Sequence, residues 1–295
     1  MYTLKWELTF KLPYLQLDVV QKFEVFGCKL SLNLVDENNS EGRLCFELKA
    51  DTVDAEKARA FGIEWIQRNL IDSYLMVSGR YLMAEFDEPK LLNEPELVSV
   101  PRAYIVSFPM RGAIRCPLPI ANVEKSLQLR EKLEAHADKE SLERSMRWFR
   151  KARDADDIVD AFVMQWIALN ALYGMFDPNK RGDRIAIKNL INKHPTTEKI
   201  REILAAYDGT IRKLASRGLK DWREQKNYSD ELRDLIGNQD VRRTLMTVGL
   251  CLWAVRSEVF HGGTMPSQEM DFIRECSQLL ERIYRECYCS YIGLT

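Results

Sequence analysis

VRRTLMTVGLCLWAVRSEVFHGG, Val241 to Gly263, decides how the second half of this 295-residue chain is read. Apolar residues fall at Val241, Leu245, Val248, Leu252, Val255 and Val259, alternating steps of four and three, which is the stripe of a helix packed on a core. A second stripe runs beside it through Met246, Leu250, Trp253 and Phe260, and Arg256 falls on this one. Gly262 and Gly263 supply the left-handed backbone that ends a helix, placing His261 in or just past the last turn. Unsatisfied carbonyls there favour an imidazolium. On an uninterrupted helix, Arg256 and His261 would leave the axis roughly 140° apart, so their convergence requires terminal unwinding that the glycines permit.

Upstream, the pattern is helical from Ile120 onward. Charged amphipathic helices are predicted at Asn122–Ala135 and Glu140–Ala155, the second with an apolar edge of Leu142, Met146 and Phe149. A core helix follows from about Ala155 to Phe176, with Ile158, Phe162, Trp166, Leu169, Tyr173 and Phe176 at steps of three and four. Asn170 is the polar group this apolar surface has to satisfy, either by a structural hydrogen bond or by orienting Arg256 or a substrate. DPNKRG, Asp177 to Gly182, is a loop signal. Helices are expected at Asp183–Lys193 and Thr197–Ala206, a less regular stretch at Asp208–Leu235, and a last helix from Pro266 to about Tyr291. His194, held extended by Pro195, and His136 read as surface residues.

The first 115 residues read differently. Tyr2 to Leu12 alternates apolar and polar residues with a period of two, a half-buried strand. Further strands are expected within Gln21–Val35, at Arg43–Lys49, near Tyr81–Phe86 and at Glu96–Phe108. One helix, capped by Asp51 or Thr52 and running to about Leu75, should cover the sheet with residues that include Phe61 and Ile63. This predicts an α+β domain over residues 1–115, a Gly/Pro linker at Met110–Pro119, and an all-α helical domain over 121–295. The first domain carries no histidine, glycine-rich phosphate loop or paired acidic motif, so sensing, substrate selection or control fits it better than catalysis.

Composition excludes several classes. An odd count of seven scattered cysteines makes no secreted disulfide framework, and Cys276, Cys287 and Cys289 lack the spacing of a zinc site, so no metal and no cofactor is expected. The longest apolar run, Ala161 to Phe176, is interrupted by Gln165 and Asn170 and reads as too short to span a bilayer, while the N-terminus lacks a signal-peptide core; a cytoplasmic protein with no membrane partner is expected. Net charge is −1, but residues 180–226 hold 13 Lys/Arg against 6 Asp/Glu, while residues 1–120 hold 14 against 17. Arg212, Lys213, Arg217, Lys220 and Arg223 around Trp222 therefore form a candidate RNA-binding patch, with a solvated helix face or a buried aromatic anchor as the bland alternatives.

Arginine, four residues, then histidine at a helix end resembles the active motif of the HEPN superfamily, many of whose members are metal-independent endoribonucleases. A second stretch, Trp148, Ala152, Asp157, Phe162 and then WIALNALYG from Trp166 to Gly174, resembles the second helix of the Apea-like branch of that superfamily. The likeness spans about 121–295. Where the family usually has Asn, Asp or His after the arginine, this chain has Ser257.

The resemblance implies a HEPN-like helical bundle acting as an endoribonuclease in defence or stress, with RNA as substrate and two protomers packed through the helical domain around a composite cleft. His261 would activate the ribose 2′-hydroxyl and Arg256 would stabilise the phosphorane, giving a 2′,3′-cyclic phosphate. Ser257 would hold the histidine or a phosphate oxygen, and Glu258 would set the imidazole tautomer. The second apolar stripe is then the dimer contact; alternatively it faces the basic excursion within one monomer. A non-catalytic module that binds RNA or nucleotide, with Arg256 as a phosphate clamp, is the competing reading, and a ligand or protein trigger at the first domain is compatible with both.

Overall fold

A computed structural model describes residues 2–11, 22–25, 28–36, 41–52, 54–79, 85–86, 90–91, 120–177, 179, 181–221, 226–237, 239–261 and 267–294. The chain divides into two compact units, 1–134 and 135–295.

In the first unit, strands β1 (Tyr2–Lys11), β2 (Lys22–Val25), β3 (Cys28–Asp36) and β4 (Glu41–Ala50) pair antiparallel in the order β2-β3-β4-β1. The β1/β4 register runs from Tyr2 opposite Ala50 to Lys11 opposite Glu41, so the period-two pattern of β1 is matched along its whole length. Helix α1 (Ala55–Ile66) packs against β1 and β4. Its N-cap is Asp54 rather than Asp51 or Thr52: the Asp54 carboxylate accepts from the amides of Glu56 and Lys57, at 3.0 and 3.2 Å. Phe61 and Ile63, expected to cover the sheet, are 45% and 41% exposed. A π-helical turn at Gln67–Ile71 then carries the chain into α2 (Asp72–Ser78), which Gly79 ends in the left-handed conformation. Short strands β5 (Glu85–Phe86) and β6 (Lys90–Leu91) both pair with β1. Helix α3 (Ile120–Glu134) packs on α2, so the helix read from sequence as opening the second domain groups with the first. The expected strand at Glu96–Phe108 and the linker at Met110–Pro119 lie outside the described residues.

The second unit is a helical bundle. Helix α4 (Lys139–Asp154) packs along α5 (Ile158–Tyr173), burying Leu142, Met146, Phe149 and Ala152. Asp157 caps α5 by accepting from the amides of Val159 and Asp160, and a 3₁₀ turn at Gly174–Phe176 extends it. With that turn the apolar helix spans 19 residues, long enough and apolar enough to cross a membrane by length and composition, against the sequence reading; α4 and α11 pack on it.

The remaining elements are α6 (Asp183–Lys193), α7 (Thr197–Ala206), α8 (Asp208–Ser216), the two-strand ribbon β7 (Lys220–Asp221) and β8 (Lys226–Asn227), α9 (Tyr228–Leu235), α10 (Val241–His261) and α11 (Ser267–Ile292). Three elements are tied by one buried hydroxyl: Ser145 on α4 donates to the Ala168 carbonyl at 2.7 Å and lies 2.8 Å from the Tyr284 hydroxyl on α11. The described cysteines Cys251, Cys276, Cys287 and Cys289 are reduced, and the described residues contain no group of three or more metal-ligating side chains.

Candidate functional site

The geometry begins with the loop DPNKRG. Asp177, buried, accepts from the amide of Gly182 at 2.8 Å and closes the loop on itself. Gly182 stands at φ +119° with open space where a Cβ would be, so backbone conformation rather than crowding requires glycine there. This closure starts α6 with two adjacent charged residues, Asp183 and Arg184, that reach in different directions.

Asp183 meets both stretches that carry the family resemblance. The buried Tyr173 hydroxyl, at the end of α5, lies within electrostatic reach of its carboxylate, while the Arg256 guanidinium on α10 lies 3.8 Å away, an electrostatic contact rather than a hydrogen bond. Burial first, and then the Asp183 charge, pushes the Tyr173 hydroxyl far above the ordinary tyrosine range; the Arg256 charge opposes this. Tyr173 is therefore neutral. Arg256 keeps 28% of its side-chain surface exposed and Asp183 39%, so the pair sits at a wet edge of the bundle.

Arg184 forms an ion pair with Asp221, whose buried carboxylate also accepts from the Tyr228 hydroxyl at 3.2 Å. Its guanidinium lies 5.8 Å from the Trp253 ring centre, a cation–π contact. Two neighbouring residues of α6 thus occupy Arg256 and Trp253 of α10. N-terminal to these contacts α10 is close-packed: a Cβ on Gly249 would meet Ile191 Cδ1 at 2.8 Å and Ile187 Cγ2 at 3.1 Å. Leu250 of the second stripe is buried, and α6 reaches Trp253 of that stripe through Arg184.

Helix α10 is continuous through His261, whose side chain, like that of Phe260, lies outside what is described. Five residues of regular helix separate the directions of Arg256 and His261 by roughly 140°. The unwinding their convergence requires does not occur before His261, and Gly262 and Gly263 lie outside the described residues. Ser257 donates its hydroxyl to the Trp253 carbonyl at 3.1 Å, a bond within its own helix. Glu258 is exposed and faces Arg217 and Glu269; partial burial, then Glu269, raises its pKa while Arg217 lowers it. Asn170 is exposed, contrary to the expectation of a buried amide. The buried amide of α5 is Gln165, which accepts from the Ser277 hydroxyl at 3.0 Å.

The described cations of the expected RNA patch are mostly neutralised in place. Arg212 pairs with Asp208 at 2.8 Å, Lys213 with Glu275 at 2.5 Å and Arg217 with Glu269 at 3.0 Å, and Arg217 also covers the Phe272 ring at 4.2 Å. Two of the cations counted along 180–226, Lys213 and Arg217, are met by carboxylates from α11, far away in sequence. Lys220 is exposed on the ribbon; Trp222 and Arg223 lie outside the described residues. A cleft of about 330 Å³ lies here between Lys213, Arg217, Asp271, Phe272 and Glu275.

His136 and His194, read as surface residues, are half-buried on either side of Tyr291, with ring centres 4.9 and 5.5 Å from it. Sequence reasoning also passed over Tyr173, Asp183, Arg184 and Asp221 as site residues. The loop signal announced where α6 starts, but no local pattern names the residues its first turn meets. No protein-family model, curated protein or solved structure matches the chain.

Proposed function

We propose that the helical unit is a metal-independent endoribonuclease of the HEPN type, with Arg256 binding the scissile phosphate and His261 acting as base toward the 2′-hydroxyl. The observation that carries this reading is the meeting at Asp183 of Tyr173, from the Trp166–Gly174 stretch, and Arg256, from the Cys251–Gly263 stretch. Two segments picked out for their resemblance to one family meet at one residue, Tyr173 from the buried side and Arg256 from the partly exposed side. An arginine braced by a carboxylate is pre-aimed for an oxyanion, and a substrate phosphate arriving there competes with Asp183 for the same guanidinium.

The roughly 140° between Arg256 and His261 on one regular helix favours a cleft shared by two protomers, each lending one of the two groups, and this is the basis on which a homodimer is included. The C-terminal turn of α10 is the part left for such a contact, because α6 covers the helix further back. Ser257, whose hydroxyl is engaged by its own helix, is then at most an acceptor toward the substrate. An α+β class for residues 1–115 with a sensing or specificity role, a cytoplasmic setting, and action in defence or stress belong to the same proposal.

The test is incubation of the full-length protein with labelled single-stranded and structured RNA in EDTA, beside Arg256→Ala and His261→Ala. Cleavage that leaves cyclic phosphate ends and disappears in both variants is the expected result. The second reading is a non-catalytic module with Arg256 as a phosphate clamp, favoured by the unbroken helix through His261. RNA binding that survives His261→Ala, fails in Arg256→Ala and is never followed by cleavage would select it.

A further inference from the structure

Helix α4 presents a face that the nuclease reading does not use. Its inner side is packed on α5 through Leu142, Ser145, Met146, Phe149 and Ala152, and the opposite side carries Arg144, Arg147, Trp148 and Lys151. The spacing i, i+3, i+4, i+7 puts these four in one row, about 10 Å long at 1.5 Å per residue. Arg144, Arg147 and Lys151 are exposed, Trp148 is half-exposed, and the Lys151 ammonium lies 4.5 Å from the indole centre.

What separates this row from the basic patch on α8 is the state of its charges. In the patch on α8, Arg212, Lys213 and Arg217 each have a carboxylate partner, Asp208, Glu275 and Glu269, while Lys220 on the ribbon is exposed. On α4, among the described residues, none of Arg144, Arg147 and Lys151 has a carboxylate at ion-pair distance, and Arg144 reaches only the Ser141 hydroxyl, at 3.4 Å. Two exposed acids bound the row, Glu140 four residues before Arg144 and Asp154 three residues after Lys151. Long cationic side chains left in water along a helix keep their full attraction for a polyanion, since no internal partner has to be displaced first.

We propose that this face of α4 is a docking surface for single-stranded RNA, with Arg144, Arg147 and Lys151 on consecutive phosphates and Trp148 offering its indole to a base. Charge complementarity and the aromatic in mid-row select this occupant: phosphates need the cations, and a base has a π face to stack. A membrane fits less well, because Trp148 is the one apolar side chain in the row and gives a bilayer little to bury. That the polyanion is RNA rests on the nuclease reading. The surface itself is tested without cleavage.

The experiment is fluorescence anisotropy of a 2′-O-methylated single-stranded oligonucleotide, which 2′-hydroxyl attack cannot cleave, titrated with the full-length protein between 50 and 200 mM salt. Three phosphate contacts predict a slope of log K against log salt near −2, a loss of roughly 20-fold over that range. The triple variant Arg144→Gln, Arg147→Gln, Lys151→Gln should bind weakly with most of that slope gone. Trp148→Ala should lose about tenfold with the slope unchanged, and Lys151→Arg should bind as the parent does. All four positions point to solvent, so thermal melting should show the variants folded. Absent binding, or binding that the triple variant leaves intact, overturns the surface. So does retention on vesicles rich in phosphatidylserine that depends on these residues while RNA binding does not. Failure of unmodified RNA to be cleaved, with these binding results intact, overturns the nuclease alone.

Discussion

The carboxylate of Asp183 stands 3.8 Å from the guanidinium of Arg256 and within electrostatic reach of the Tyr173 hydroxyl, so a residue at the first turn of α6 links the end of α5 to α10. Tyr173→Phe should cost about 1 kcal/mol, for removal of a buried hydroxyl beside a carboxylate charge. Combined with Asp183→Asn in urea denaturation, the pair should show a coupling of about 0.5–1.5 kcal/mol. Additive effects would mean that Asp183 does not hold the tyrosine.

The Asp221 carboxylate is buried and depends on Arg184 for its countercharge. Arg184→Met takes the Arg184 countercharge from a buried carboxylate, at an expected cost of about 3 kcal/mol. Adding Asp221→Asn should recover most of that loss. Equal denaturation midpoints for Arg184→Met and the parent would contradict the pairing.

Gly249 sets how closely α10 approaches α6. Alanine gains about 1 kcal/mol of helix propensity there, but its Cβ would press on Ile191 Cδ1 at 2.8 Å and Ile187 Cγ2 at 3.1 Å. Overpacking of this kind costs about 1–3 kcal/mol, so Gly249→Ala should be net destabilising. In an Ile191→Val background, where Cδ1 is absent, the same substitution should turn neutral or stabilising. A melting temperature that rises for Gly249→Ala alone refutes the close approach.

His194 is half-buried, with Nδ1 2.9 Å from Ser290 Oγ and its ring against Phe176 and Tyr291. Burial first, then the charges of Lys193 and Arg242, lowers its pKa below the ordinary 6.5. The folded protein therefore prefers the neutral imidazole, and the unfolded chain binds the proton more readily. Stability from this group is complete above about pH 7 and is lost as pH falls through 6.5 toward the lowered folded value. Melting curves at pH 5 and 7.5 should show a smaller acid loss for His194→Gln than for the parent. An unchanged difference between the two pH values would rule out His194 as the group responsible.

The sequence by itself determined most helices of the second unit; the exceptions are α8 and α9, which fall in Asp208–Leu235, read only as a less regular stretch. α6 and α7 begin and end where the pattern of Asp183–Lys193 and Thr197–Ala206 places them, and α10 follows its stripe of threes and fours because helical periodicity is written in neighbouring residues. The alternation of Tyr2–Leu12 likewise foretold β1. Asn170 shows where that kind of reading stops. A polar residue in an apolar helix faces inward or outward according to what packs there, and α11 takes the Gln165 side through Ser277. The basic patch misled for the same reason: local counting sees thirteen cations but not Glu269 and Glu275 arriving from another helix. Only the tertiary structure joined Tyr173 and Arg256 at Asp183, and only it separated the paired cations of α8 from the unpaired ones of α4. Partners distant in sequence are chosen by packing, which no local pattern encodes.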